Sequence, residues 1–87
     1  MDISVKYSKL GRKKCWGLAY QDTNEIELDT RLKGQKHLEI LLHETMHLLL
    51  PDLTEEEIVD KSITLTKILW NEDYRRIDND TSQKLQK

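Results

Sequence analysis

GQKHLEILLHETMHLLLP, residues 34–51, is the stretch that decides the fold. From about Gln35 to Leu50, the residues Leu38, Leu41, Leu42, His43, Met46, Leu49 and Leu50 recur at intervals of three and four, the period of a helix. Gly34 precedes the run, and Pro51, which cannot continue a helix, ends it. Near its C-terminal end the run is apolar around much of its circumference, which predicts a central helix buried by neighbours on several sides.

Upstream the period changes from helix to strand. Asn24 to Asp29 alternates polar and apolar, with Ile26 and Leu28 turned inward, and Cys15 to Tyr20 is a short apolar-rich run. Gln21-Asp22-Thr23-Asn24 between them has the composition of a tight connection, so the two runs are expected to form a β-hairpin. Ile3, Val5 and Tyr7 alternate as an additional first strand. Downstream, Thr54-Glu55-Glu56-Glu57 is a capping box that opens a second helix running to about Trp70 or Tyr74. Its apolar side is read as Ile58, Val59, Ser62, Ile63, Leu65, Thr66, Leu69 and Trp70, with Trp70 and Trp16 as core anchors. The expected architecture is α+β: a small hairpin or three-stranded sheet, then a central helix, then a second helix. Residues 1–76 form one domain, and residues 77–87, polar and aperiodic, read as a disordered tail.

Composition narrows the function classes. The 87 residues hold one core, and at this size a bound metal is a useful additional cross-link. A net charge of −2, with both signs mixed, provides no global field for nucleic acid, and the cluster Arg12-Lys13-Lys14 is the only local exception. Nucleic-acid binding would rest on that cluster with Trp16 and Tyr20, and aromatic residues in strands are more often core; it is not the expected function. Cys15 is the sole cysteine, so any metal must be held by histidine and carboxylate. No run is long and apolar enough to span a bilayer and there is no signal-peptide pattern, so a cytoplasmic monomer is the expected state.

The chemistry-bearing motif is His43-Glu44-Thr45-Met46-His47, inside the central helix. Residues four apart in a helix lie one above the other, so both imidazoles can face one tetrahedral ion. Glu44, about 100° round the helix from His43, can take the proton of a water acidified by zinc without itself being a ligand. Two histidines and a glutamate are costly to place in an apolar helix unless a partner satisfies them.

A catalytic zinc usually has three protein ligands and an open position. No histidine follows the motif, and His37, six residues before His43, lies off the ligand face and reads as a surface or helix-start residue. A carboxylate remains: Asp52, Glu55, Glu56 or Glu57. With Ile58 as zero, the apolar stripe of the second helix centres at about 70°; Glu55 falls near about 60°, Glu56 near about 160° and Glu57 near about 260°. Glu55 is therefore the first choice, Glu56 and Asp52 are alternatives, and Glu57 goes to the capping box.

With His-Glu-x-x-His on a central helix and a candidate glutamate on the next, the chain resembles the gluzincin zinc metallopeptidases, most of all the minigluzincins and the ImmA/IrrE-type and SprT-like domains of bacteria and phages. The likeness covers roughly residues 16–70. It implies a zincin-like fold, zinc on His43, His47 and Glu55, Glu44 as general base, and a protein or peptide substrate added as a strand to the sheet edge, for which Ile26 to Asp29 is the candidate. The chain departs from the family in having no helix before the sheet, which implies a shallow cleft. Tyr20, Tyr74 and Arg75 are the candidates to stabilise an oxyanion. The leading expectation is thus a zinc-dependent peptidase, a hydrolase. The alternative is a catalytically inactive, zinc-stapled binding module acting as a phage or bacterial inhibitor or adaptor of a protein partner.

Overall fold

The computed structural model describes residues 1–77; most of the expected tail, residues 78–87, lies outside the described residues. Three strands precede two helices: β1 (Ser4–Ser8), β2 (Gly17–Tyr20), β3 (Glu25–Asp29), α1 (Gly34–Leu49) and α2 (Glu55–Asn71), with one 3-10 turn at Gly11–Lys13. The fold is α+β, as the periodicities predict, and the three-stranded alternative is the one adopted.

The sheet order is β1-β3-β2. β2 and β3 form the antiparallel hairpin, Gly17 opposite Leu28 and Tyr20 opposite Glu25, while β1 pairs parallel to β3, Ser4 opposite Glu25 and Ser8 opposite Asp29. This order corrects one expectation. Ile26 to Asp29 cannot be a free edge, because β3 is the central strand with both sides paired; the edges are β1 and β2. The central place of β3 agrees with its burial, since its apolar residues are the most enclosed in the sheet. Ile26 and Leu28 are fully buried and pack with Leu32 and Leu48 beneath Ala19, Ile40 and Leu41.

α1 begins at Gly34, whose φ of 60° is left-handed and so favours glycine. It ends where the Leu50 N–H donates to Met46 and Pro51 follows. The turn that follows is short, and α2 starts at once on the predicted capping box. The Glu57 N–H donates to the Thr54 hydroxyl at 3.2 Å, and the Thr54 N–H donates to the Glu57 carboxylate at 2.9 Å. Such a box contributes about 1 kcal/mol, and here it fixes the start of α2, whose first residue is Glu55.

Three further expectations are corrected. Trp16 is not a core anchor: it is 41% exposed, with the Arg31 guanidinium 4.8 Å from its ring. The alternation of β2 explains this, since Gly17 and Ala19 face the helices and Trp16 therefore faces away. His37 is not a surface residue but buried in the first turn of α1, where Nε2 lies 2.9 Å from the Tyr7 hydroxyl; burial lowers its pKa. Along α2 only Ile58, Ser62 and Thr66 are fully enclosed, whereas Val59 and Leu65 are exposed. With α1 as its main neighbour, α2 buries a narrower stripe than its apolar content would allow.

β3 closes on a polar anchor. Asp29, fully buried, accepts from the Leu10 N–H at 3.0 Å, the Arg31 N–H at 2.8 Å and the Arg31 guanidinium at 2.9 and 3.0 Å. These donors hold its carboxyl well below the usual carboxylate range.

Candidate metal centre

Three donor atoms from two helices converge at one end of the α1–α2 pair. His43 Nε2 lies 3.0 Å and His47 Nε2 3.1 Å from the same Glu55 Oε1, and the two Nε2 atoms are 3.2 Å apart. The imidazoles stand one turn apart on α1 in an edge-to-face arrangement. Glu55 arrives from the first turn of α2, because the short turn after Leu50 brings that turn against the last turn of α1. Its side chain is 64% exposed, so no apolar burial holds it there. The donors themselves account for its position.

The triangle fits a metal. An ion about 2.0–2.1 Å from each of three donors at tetrahedral angles holds them about 3.3 Å apart, close to the separations found. Two imidazole nitrogens and a carboxylate oxygen turned toward one point have mutually repelling lone pairs unless a cation or shared protons lie between them. Two histidines with one carboxylate is a donor set suited to zinc, with a fourth position left open. Among the described residues, these three form the group of potential ligands close enough to share an ion. The alternatives Asp52 and Glu56 are exposed and do not join it, and Glu57 is engaged in the capping box.

Glu44 sits beside the triangle but does not belong to it. It is 9% exposed, and burial raises its pKa, opposed by the neighbouring His43 and His47. Its enclosure comes from Gly17 of β2, where a Cβ would lie 3.0 Å from Glu44 Cγ, 3.1 Å from Oε2 and 2.9 Å from Ile40 Cγ2. Such approaches are closer than normal packing permits, so only glycine lets β2 lie this near the carboxylate.

The three candidate ligands and Glu44 open into a cleft of about 330 Å³ whose other wall is Gly17, Leu18, Ala19 and Gln21. None of these wall residues was singled out in the sequence. Glycine at the start of an apolar run was the one available signal for Gly17. The Gln21 amide donates to the His47 carbonyl at 3.3 Å, tying the hairpin turn to the ligand helix. The residues expected to approach an oxyanion do not line this cleft. The Tyr20 hydroxyl donates to Glu27 at 2.6 Å, and Tyr74 and Arg75 line a separate cavity of about 430 Å³ with Tyr7, His37 and Trp70.

The cleft wall also has free backbone groups. The Asp29 N–H donates to the Trp16 carbonyl at 2.9 Å, so Trp16 and Asp29 are a hydrogen-bonded pair of the ladder. Alternate residues of β2 therefore address β3, while Gly17 and Ala19 turn N–H and C=O to the open edge. Comparison with protein-family models, curated proteins and solved structures returned no match. No helix among the described residues is long and apolar enough to cross a membrane.

Proposed function

We propose that the chain is a zinc-dependent peptidase of the gluzincin type. The observation that carries this reading is the convergence of His43 Nε2, His47 Nε2 and Glu55 Oε1 at 3.0–3.2 Å from one another, with the carboxylate of Glu44 enclosed alongside. A zinc ion held there supplies Lewis acidity that polarises a substrate carbonyl and acidifies water. Glu44, acting at its carboxylate oxygens, receives the proton of the attacking water and delivers it to the leaving amine. Its apolar enclosure by Gly17 and Ile40 favours holding that proton between the two steps.

The substrate is an extended peptide segment, and its position follows from the sheet. The outward N–H and C=O groups of Gly17 and Ala19 pair with its backbone as an added strand, which lays it across the open cleft in front of the ligands. β2 thus takes the role first assigned to β3. Gln21 lines the cleft, and its amide, which donates one hydrogen to the His47 carbonyl at 3.3 Å, has a second hydrogen to offer a carbonyl oxygen bearing developing charge.

The test begins with elemental analysis, which is expected to find zinc at one equivalent. A Glu44→Gln variant should retain the metal, capture its protein partner and fail to cleave it. Full cleavage by that variant would exclude the mechanism. One observation favours a second reading, a zinc-stapled binding module: none of Tyr20, Tyr74 or Arg75 lines the cleft. On that reading Glu44→Gln leaves biological activity unchanged, while His43→Ala unfolds the chain.

A further inference from the structure

The structure assigns a second contact region to the same substrate: we infer that the basic turn before β2, with Trp16 and Arg31, is an exosite for an acidic segment adjoining the peptide strand paired to β2. The inference rests on the peptide-strand reading of the β2 edge and adds to it a substrate class, proteins in which an extended stretch is followed or preceded by aspartates and glutamates.

The argument starts from a large aromatic side chain out of place. Trp16 immediately precedes β2, yet the residue is 41% exposed, on the sheet face turned away from the helices. The Arg31 guanidinium lies 4.8 Å from the ring centroid and is itself held by buried Asp29. A fixed guanidinium stacked on an exposed indole is a rigid platform, and tryptophan and arginine are the residue types that dominate binding energy at protein interfaces.

Charge surrounds the platform. Gly11–Lys13 forms the 3-10 turn, Lys14 follows with a left-handed φ of 56°, and a Cβ at Gly11 would lie 3.5 Å from the Arg31 guanidinium. A groove of about 220 Å³ lies between this turn, Trp16 and Arg31. Asp29 neutralises Arg31, whereas Arg12, Lys13 and Lys14 have no ion-pair partner among the described residues. Glu27 is the acidic group that feels Lys13, and it is already engaged by the hydroxyls of Ser8 and Tyr20. The chain as a whole is at −2, so this turn is a local reversal of its charge.

Continuity with the cleft selects a peptide over other polyanions. Gly17, whose backbone faces the open edge, is bonded to Trp16, so a strand paired to Gly17 and Ala19 that continues past the Gly17 end of β2 runs toward the groove. A polypeptide already lying on that edge reaches the basic turn with no further rearrangement, and the carboxylates it carries there complete the charge pairing.

The experiment uses zinc-loaded Glu44→Gln full-length chain and fluorescently labelled synthetic peptides sharing one alternating valine–serine core. The core is extended by a block of glutamates at its C-terminal end, by the same block at its N-terminal end, or by serines. The inference predicts that the glutamates tighten binding about tenfold at low ionic strength when placed at one end and not the other. It also predicts that Trp16 emission responds to the favoured peptide. The gain should vanish in an Arg12→Ser/Lys13→Ser/Lys14→Ser variant and fall by at least about threefold in Trp16→Ala, with binding of the serine peptide unchanged in both. Equal gains at the two ends, a gain that survives the triple substitution, or tighter binding of oligo-dT to the same residues would each overturn it. Binding of the serine peptide with no gain from glutamates overturns the exosite and leaves the peptidase reading standing. Failure of every peptide to bind overturns both.

Discussion

Glu55→Ala isolates the part of the metal centre that no packing supports. The side chain is 64% exposed and meets the protein through its carboxylate at His43 and His47. Removing it from metal-free protein should therefore change stability by less than about 0.5 kcal/mol, as for other exposed sites. With zinc the proposed site predicts a different outcome, because there the carboxylate is one of three candidate donors and the one that joins α2 to α1. Loss of a ligand should cost at least the roughly 100-fold in affinity associated with the supporting shell of such sites, which is about 2.7 kcal/mol. For a domain of this size, that removes about 10–20 °C of the zinc-dependent rise in Tm. The assay is thermal unfolding by circular dichroism, with and without a fixed excess of zinc, on the wild type, Glu55→Ala and Glu56→Ala. The wild type and Glu56→Ala should show the full rise and Glu55→Ala a small one. A full zinc-dependent rise in Glu55→Ala, or its loss in Glu56→Ala, would refute the assignment of the third ligand.

Gly17→Ala should leave zinc affinity intact, since the atoms nearest the added methyl belong to Glu44 and Ile40, but displace those two side chains by a few tenths of an ångström. Cleavage of the captured partner should then fall about tenfold or more, and unchanged cleavage by a variant folded as the wild type would show that Glu44 needs no such seat. Acid stability should follow Asp29: its carboxyl titrates below its unfolded-state value, so its contribution is present above about pH 5 and is lost as pH falls through the range below. Asp29→Asn should be destabilised relative to wild type at pH 7, with the gap closing toward low pH in urea titrations; a pH-independent gap would indicate a packing effect only.

Most of the fold was legible in residue periodicity. The three-four recurrence from Leu38 to Leu50 and the two-residue alternation from Asn24 to Asp29 mark α1 and, to within a residue, β3, and the Thr54-Glu57 box marks the start of α2 to within a residue. Strand order was not legible, because a hairpin fixes only that β2 and β3 are neighbours. Whether β1 adds beside β2 or beside β3 depends on how the Lys9 to Trp16 connection crosses the sheet, and that connection carries no periodic signal. The same limit hid the exposure of Trp16: its face is set by the register of Gly17 against Leu28, a relation between distant residues. Within the candidate site, helix angles singled out Glu55 as the centre of a buried stripe; it does stand beside both histidines, but 64% exposed at the start of α2 rather than buried among apolar residues. The β2 wall of the cleft was not legible, since its residues are small and carry no chemistry of their own.

The parallel pairing of β1 has a consequence for the order in which the chain assembles. β2–β3 and α1–α2 are each joined by a short turn, so their contacts close small loops, whereas β1 can bond to β3 only after the whole intervening segment has folded back. Loop closure over that length is the slow step in such topologies. All the residues of the metal centre lie in the two locally closed hairpins, so pulsed hydrogen exchange during refolding should protect α1 and α2 before Ser4 to Ser8. On the proposed zinc reading, a chain whose first strand has not yet docked would already present His43, His47 and Glu55 together, and the ion would be a participant in folding rather than a passenger added at its end.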